Sequence, residues 1–576
     1  MSDRQCNATA VFALLSAAVL GYFGTIGSGF VSDDFVLVHR AATDGYFTSW
    51  GGEDGSTFFR PVTTLSYLSD FRIWGSNPAG FHLTNVLWHF FTGTAVFLLL
   101  LSLLKQSRIQ QPCLFALLSS VLFLSLASHS ESVAWVSGRT DVLATAFALF
   151  SIFFFYRYMS KPSTPEAVFA VVFFFLGLLA KESVIVTPLL WGALFVYSSS
   201  AGDKKHSRSK WLLAVSLLLT GVYLAFRIFP DGNFFSNMKS GGFLNISATG
   251  MAESLVRYSF RVFIPPLPVS FRHLVLSHPA LVPATLFLLV VPLGIAVHRK
   301  ANRNQKRLLV LLAGCFVISL LPVLSMKVSL FDTRSERFLY LPSVFASGFL
   351  TVAVASVFRK TGTAVVIFVV LIIIQGIFLH RSNENWRQAG VLCSRISESV
   401  SEYHPDSVFI LAVPDSFHGA YVFRNGLNEA VAMFTGEDRD YTVYCKIGSY
   451  GDSLFCENAE LPDLGETERT VITCVDGTMR RAPAGLLSRK ALVCAEVRSI
   501  IRVTSLLKHL SFLLFENPFQ LFKAGSMICF VHFPDIDKLP FKCRKLGKMI
   551  YAQQVPVRCA SFQEHVQTRT GTCVPY

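Results

Sequence analysis

Charged side chains recur in short polar blocks set between long apolar runs. The first is Val31-Ser32-Asp33-Asp34-Phe35. In extended chain, neighbouring side chains point to opposite faces, so Asp33 and Asp34 are expected to do different jobs. One takes a proton from an acceptor hydroxyl; the other holds a substrate or a partner. Taken alone, the pair also fits a solvated loop or a helix cap. Arg60 opens a second block that runs to Tyr67. In a third, Asn77 to Asn85, His82 and Asn85 are three apart and share a helix face if a helix starts there. A fourth runs from His129 through Glu131 to Arg139 and Asp141. Arg139 could bind a phosphate bidentately, or pair with Asp141 to close a turn. Lys181-Glu182 separates two apolar runs, where the two could also pair or snorkel. Last come Arg334, Glu336 and Arg337; the arginines are spaced i, i+3, which on a helix makes one cationic patch. Such a patch also suits lipid headgroups.

The elements that carry these blocks follow from composition. The chain has 576 residues, of which 52% are hydrophobic and 15% charged, with a mean hydropathy of +0.48. An average soluble chain carries about 25% charged residues. A disordered chain, a collagen and an ordinary cytosolic enzyme are excluded. The net charge of +14 is read as a topology signal and not as nucleic-acid binding.

A membrane-crossing helix needs ~20 mostly apolar residues. About eleven such runs occur, near 9–29, 83–104, 113–128, 141–157, 166–180, 183–199, 211–229, 280–297, 307–324, 338–358 and 362–380. The first is read as an uncleaved anchor. With Arg4 in the cytoplasm, every even-numbered exit is basic: Lys105 and Arg108, Arg157 and Lys161, Lys204 to Lys210, Arg299 to Arg307, and Arg359-Lys360. That satisfies the positive-inside rule throughout. All the polar blocks then fall on the opposite, outer face. Ionisable groups at a membrane face are costly unless they pair or line a cavity. Their convergence predicts a polar cavity with carboxylates for proton transfer and arginines for an anionic group.

After residue 380 charges, Gly and Pro return. The expected architecture is therefore a polytopic α-helical membrane domain over 1–380 and an extracytoplasmic α/β or α+β domain over 381–576. Ser407–Val413 alternates like a strand, and a helix follows from Asn425. Eight of the twelve cysteines lie in this tail from Cys445 onward, and an oxidising compartment would permit disulfides there.

The order of the blocks resembles the polytopic glycosyltransferases of the GT-C superfamily. Within it, residues 1–380 are similar to the membrane region of the transmembrane and tetratricopeptide-repeat-containing O-mannosyltransferases, and to bacterial family 39 glycosyltransferases. Asp33-Asp34-Phe35, Arg60–Tyr67, Trp74–Asn85, His129–Asp141, Lys181-Glu182 and Glu336–Ser343 carry the likeness. Two departures stand out. Leu126 and Ala127 replace a His-Pro pair common in that family, and no repeat of ~34 residues follows 380.

The resemblance implies inverting transfer from a polyprenyl-phosphate sugar donor within membrane lipid. Asp33 would be the base that deprotonates the acceptor, and Asp34 would orient the acceptor or a partner. Arg139, Arg337 or Arg334 would stabilise the leaving phosphate. Arg60 and Lys181 would serve the same end, while His82, His129, Glu131 and Glu182 would shape the pocket; Asp141 and Glu336 are counted with them among the substrate-binding residues. No metal is assigned and no H-E-x-x-H motif occurs, although Asp33, Asp34, His129 and Glu131 could ligate a divalent ion. The acceptor, whether protein, lipid or glycan, is left open. Two other readings compete: a transporter or flippase for a lipid-linked or anionic solute, and a non-catalytic scaffold. A bacterial inner membrane with a periplasmic tail is the expected setting; Asn245-Ile246-Ser247 would be a glycosylation acceptor only in an endoplasmic reticulum.

Overall fold

A computed structural model describes residues 3–43, 59–199, 209–228, 247–358, 360–447, 454–456, 470–475 and 478–481. Helix α1 (Asp3–Tyr22) is followed by two shorter helices, α2 (Asp33–Thr43) and α3 (Pro61–Trp74). Next come α4 (Pro78–Gln106), α5 (Pro112–Leu124), α6 (Ser130–Val133), α7 (Arg139–Ser160), α8 (Thr164–Ala180), α9 (Thr187–Ser199) and α10 (Ser209–Ile228). Two shorter helices follow, α11 (Ala248–Arg261) and α12 (Arg272–Ser277). Helices α13 (Leu281–Lys300), α14 (Arg303–Leu320), α15 (Tyr340–Val357) and α16 (Thr361–Ser401) complete the membrane region.

Among the described residues, nine helices are long and apolar enough to cross a membrane. The α5–α6 pair, bent by 55°, brings the number to ten when counted as one broken span, and α8 is a shorter apolar helix of 17 residues. These coincide with the eleven apolar runs. Helices α7 and α15 are the most enclosed and α13 the least. Phe287 and Leu288 on α13 stand 63% and 70% exposed, as expected of a surface solvated by lipid tails. Close packing inside uses small residues: Gly93 faces Leu124, and Gly348 faces Leu100.

Sequence signals set the helix ends. Pro78 occupies the first position of α4, and the Asn77 side chain accepts the Ala79 N–H at 3.1 Å. Asn302 and Gln305 form a reciprocal capping box on α14.

Helix α16 runs unbroken from Thr361 to Ser401, through the expected domain boundary at 380. Its apolar half spans and its polar half leads into the tail. There β1 (Val408–Pro414) lies at the centre of a sheet. The hairpin β2 (Ser416–Phe417) and β3 (Ala420–Tyr421) follows, then α17 (Leu427–Thr435). Strands β4 (Val443–Ile447), β5 (Leu454–Cys456), β6 (Thr470–Val475) and β7 (Thr478–Arg481) complete the order β5-β4-β1-β6-β7. The β4–β1 and β1–β6 pairs are parallel; both edge pairs are antiparallel. This is the small α/β unit. Strand β1 differs from the expected alternation: Val408–Val413 is buried on both faces, as in the middle of a parallel sheet.

Cys6 and Cys113 form a disulfide that ties α1 to α5. It lies at the face of the basic loops, opposite the tail. Of the tail cysteines, Cys474 is a buried thiol, and Cys445 and Cys456 oppose each other in the β4–β5 register. Cys494, Cys529, Cys543, Cys559 and Cys573 lie outside the described residues.

Candidate active site

Asp33 and Asp34 open α2; they do not sit in extended chain. Ser32, at φ +47°, turns the backbone, and two carboxylates in the first turn favour a helix start through its dipole. Successive helix residues point about 100° apart, so the two still meet different surroundings. Asp34 is fully buried. It accepts the Val31 N–H at 3.1 Å, and the Ser137 N–H and hydroxyl at 2.8 and 2.5 Å. Burial pushes its carboxyl up to about 7, against the pull of Ser137 and Val31. Asp33 is half-buried and accepts the Asn425 side-chain N–H at 2.7 Å. Asp34 is thus the bolt that joins α2 to the turn before α7, and Asp33 is the more exposed of the two carboxylates.

Arg139 is sealed. Its guanidinium donates to Asn85 Oδ1 at 2.6 Å, Ser66 Oγ at 2.8 Å and the Phe81 carbonyl at 2.8 Å, and pairs with Asp70 at 2.5 Å. The Tyr67 ring covers it at 4.7 Å. Its side chain is 0% exposed and that of Asp70 5%. Burial pushes the Asp70 carboxyl up, with Arg139 and the Thr84 hydroxyl opposing. Asn85 also donates to the carbonyls of Val133 and Trp135. These contacts knit α3, α4 and α7 together and leave Arg139 no donor aimed at a cavity.

Three other cations are also paired, but two stay partly open. Arg60 forms a bidentate bridge with Glu182, Lys181 pairs with Asp141 at 2.6 Å, and Arg337 pairs with Glu131 at 2.7 Å. Arg60 and Arg337 keep 21% and 25% of their side chains exposed. Burial works against the Arg60 charge, but Glu182 outweighs it and holds the guanidinium pKa above its usual value. Burial pulls the Lys181 ammonium below its usual value, and Asp141 only partly offsets that. Arg60 lies within electrostatic reach of Glu182, Asp141 and Arg337, so these pairs form one cluster. Tyr67, in reach of Arg139, Asp34 and Arg60, links the cluster to the start of α2.

The remaining expected residues are placed elsewhere or spent on packing. His129 is buried in an aromatic group with Phe123, His89 and Tyr340, its Nε2 2.8 Å from Ser343 Oγ. His82 is buried against the backbone of Ser28, Gly29 and Ala134. Glu336 pairs with Arg261 of α11, and Arg334 pairs with Asp332 at 2.8 Å. Arg334 and Arg337 therefore do not make one patch: Ser335, at φ +68°, breaks the helical spacing between them. Asp33, Asp34, His129 and Glu131 each hold a different partner. Among the described residues no three His, Cys, Asp or Glu side chains gather as a metal site.

Sequence reasoning missed the contribution of the tail. Tyr421 donates to Glu131 at 3.1 Å, and its ring meets Trp135 and Trp386 edge-on. Arg424 lies 4.3 Å over the Tyr421 ring and grips Asp415 bidentately at 3.0 and 2.9 Å. Arg261 and Asp70 were missed too. A buried charge needs a partner, which signals that each has one, but not which.

No family model matches the chain. It is 24% identical over 406 residues, 65% of this chain, to a protein O-mannosyl-transferase of Caenorhabditis elegans, of which the match covers 55%. It is 33% identical over 227 residues, 35% of this chain, to one of Drosophila melanogaster, covering 23% of that protein. It is 28% identical over 233 residues, 36% of this chain, to one of Homo sapiens, covering 26%. The chain thus spans about half the length of the first and about a quarter of the other two. The likeness carried by the motif order is borne out: the chain is similar to O-mannosyltransferases. Among solved structures it resembles ArnT from Cupriavidus metallidurans bound to undecaprenyl phosphate, with 12% identity and a TM-score of 0.43, covering 80% of this chain and 92% of that one.

Proposed function

We propose that this multi-pass membrane protein is an inverting glycosyltransferase. It moves a sugar from a polyprenyl-phosphate donor to an acceptor hydroxyl at the outer face. The observation that carries the reading is the placement of Asp33. It is a half-buried carboxylate in the first turn of α2, beside a bolted Asp34 that Tyr67 links to the partly open Arg60, itself in electrostatic reach of Arg337. Asp33 takes the acceptor proton as the acceptor oxygen bonds to the anomeric carbon and the bond to the phosphate oxygen breaks. Charge grows on the leaving polyprenyl phosphate, and Arg60 and Arg337 are preorganised to meet it. Their carboxylate partners hold both guanidinium groups in place before the donor arrives. Arg139 and Asp34 are positioning residues in this scheme. The relatives named above favour mannose as the first sugar to test.

The test is transfer of label from polyprenyl-phosphate mannose in membranes, with wild type and Asp33→Asn at matched expression. Transfer by wild type alone supports the reading. Equal transfer by both removes Asp33 as the base. No transfer by either, across a panel of lipid-linked sugars, turns the reading towards transport or scaffolding.

A further inference from the structure

The carboxylate proposed as the base is held by a residue of the tail. Asn425 donates its side-chain N–H to Asp33 Oδ1 at 2.7 Å, across 392 residues of sequence. Three further contacts fix the same segment. The Ser32 N–H donates to the Val422 carbonyl at 2.8 Å. The Asn425 N–H donates to Ser32 Oγ at 3.3 Å. Phe423 stacks on Phe35 at 6.0 Å. Gly426, at φ +83°, lies so close that an added Cβ would sit 2.4 Å from the Ser32 carbonyl oxygen. Only glycine tolerates both that backbone and that approach.

The clamp is braced from behind. Lys446 of β4 donates to the Phe423 carbonyl at 3.0 Å, and the Cys393 thiol of α16 to the Val422 carbonyl at 3.3 Å. Ser32 holds a left-handed conformation that a non-glycine residue adopts only under restraint, and residues 422–426 supply that restraint. An amide N–H suits the task chemically. It donates to the carboxylate without titrating itself, and it fixes the rotation of the carboxyl group.

We infer that Asn425 is a positioning residue for Asp33, so that the tail completes the transfer site and is not an appendage to it. This rests on the reading of Asp33 as the base. Because Asn425 reaches the reaction only through Asp33, its loss lowers turnover and leaves donor binding alone. Misplacing a catalytic group by about 1 Å costs on the order of a hundredfold in rate.

The experiment uses the full chain in membranes and compares wild type, Asp33→Asn, Asn425→Ala, Asn425→Asp and Asn425→Gln. For each it measures kcat and donor KM with polyprenyl-phosphate mannose, and protease protection of the tail. The expected result is a kcat about ten- to a hundredfold lower for Asn425→Ala. Asn425→Asp, equal in shape but without the donor, falls at least as far. Asn425→Gln, which keeps an amide donor, recovers part of the loss. Donor KM and tail protection stay at wild-type values. Wild-type turnover in Asn425→Ala and Asn425→Asp, with Asp33→Asn inactive, overturns this inference and spares the base. A loss seen in KM, or a tail that becomes protease-sensitive, assigns Asn425 to docking and likewise overturns it. Wild-type turnover in Asp33→Asn removes the base reading and this inference together.

Discussion

Arg139→Gln is expected to destabilise the protein and not to weaken donor binding. The guanidinium is fully enclosed and donates to Asn85, Ser66 and Phe81 while pairing with Asp70. Glutamine cannot reach those partners. The Asp70 carboxylate, 5% exposed, is left without its countercharge. Breaking one side of a buried pair costs about 3–5 kcal/mol. The double variant Arg139→Gln/Asp70→Asn removes both charges and is expected to recover about 1–3 kcal/mol of that, the usual range of coupling between touching residues. The assay is denaturant unfolding of the purified protein in micelles, followed by tryptophan fluorescence, with donor KM measured on the same preparations. The opposite outcome would refute the reasoning: wild-type stability in Arg139→Gln with a tenfold higher donor KM. Arg139 would then touch the donor, as the motif resemblance implied.

Four further outcomes are expected. Burial raises the Asp34 carboxyl from 3.8 to about 7, so the folded state favours its protonated form. That contribution is full below pH ~4 and is lost as pH rises through about 7, on the order of 4 kcal/mol in all; unfolding of Asp34→Asn between pH 4 and 8 is expected to lack this slope, and a wild type that gains stability relative to it over that range contradicts the burial argument. Arg60→Gln is expected to raise donor KM about tenfold, the worth of one charge-assisted contact, and an unchanged KM in a donor titration removes Arg60 from the phosphate. At Gly138 an added Cβ would meet the Glu131 and Ser132 carbonyl oxygens at 2.4 and 2.7 Å, so Gly138→Ala is expected to lower the yield of folded protein in detergent size-exclusion runs; wild-type yield would mean the turn can yield. Expressed in a eukaryotic secretory pathway, the protein is expected to carry a glycan at Asn245, seen as an endoglycosidase-sensitive mobility shift, because the topology read from the basic exits assigns that sequon to the outer face; no shift, with a sequon placed near Arg108 modified instead, inverts the topology.

Some of this protein is written locally. Apolar runs and basic exits depend only on composition within a window, because bilayer thickness and the charge asymmetry of insertion act on one segment at a time. Hence the apolar helices, nine or ten of them candidate spans among the described residues, the strand near 408 and the helix near 427 were legible. The kink at residues 32–33 was not. Nothing in Val31-Ser32-Asp33-Asp34 announces that Ser32 turns left-handed, since Val422 and Asn425, roughly 390 residues away, hold it there. The alternation read in β1 failed for a similar reason: the partner strands β4 and β6, absent from any local window, decide that both its faces are buried.

The sequence by itself determined that charged residues would sit at the ends of the apolar helices of a membrane protein, because hydropathy keeps them out of the spans. Only the tertiary structure decided which of them are spent on each other. Arg139 and Arg337 are chemically alike, yet one is closed in by Asp70, Asn85 and Tyr67 while the other stays a quarter exposed beside Glu131. Their partners lie 54 to 206 residues away along the chain. A carboxylate's role depends on what surrounds it in space, and for Asp33 and Asp34, one residue apart, that difference comes from Asn425 on one side and Ser137 on the other.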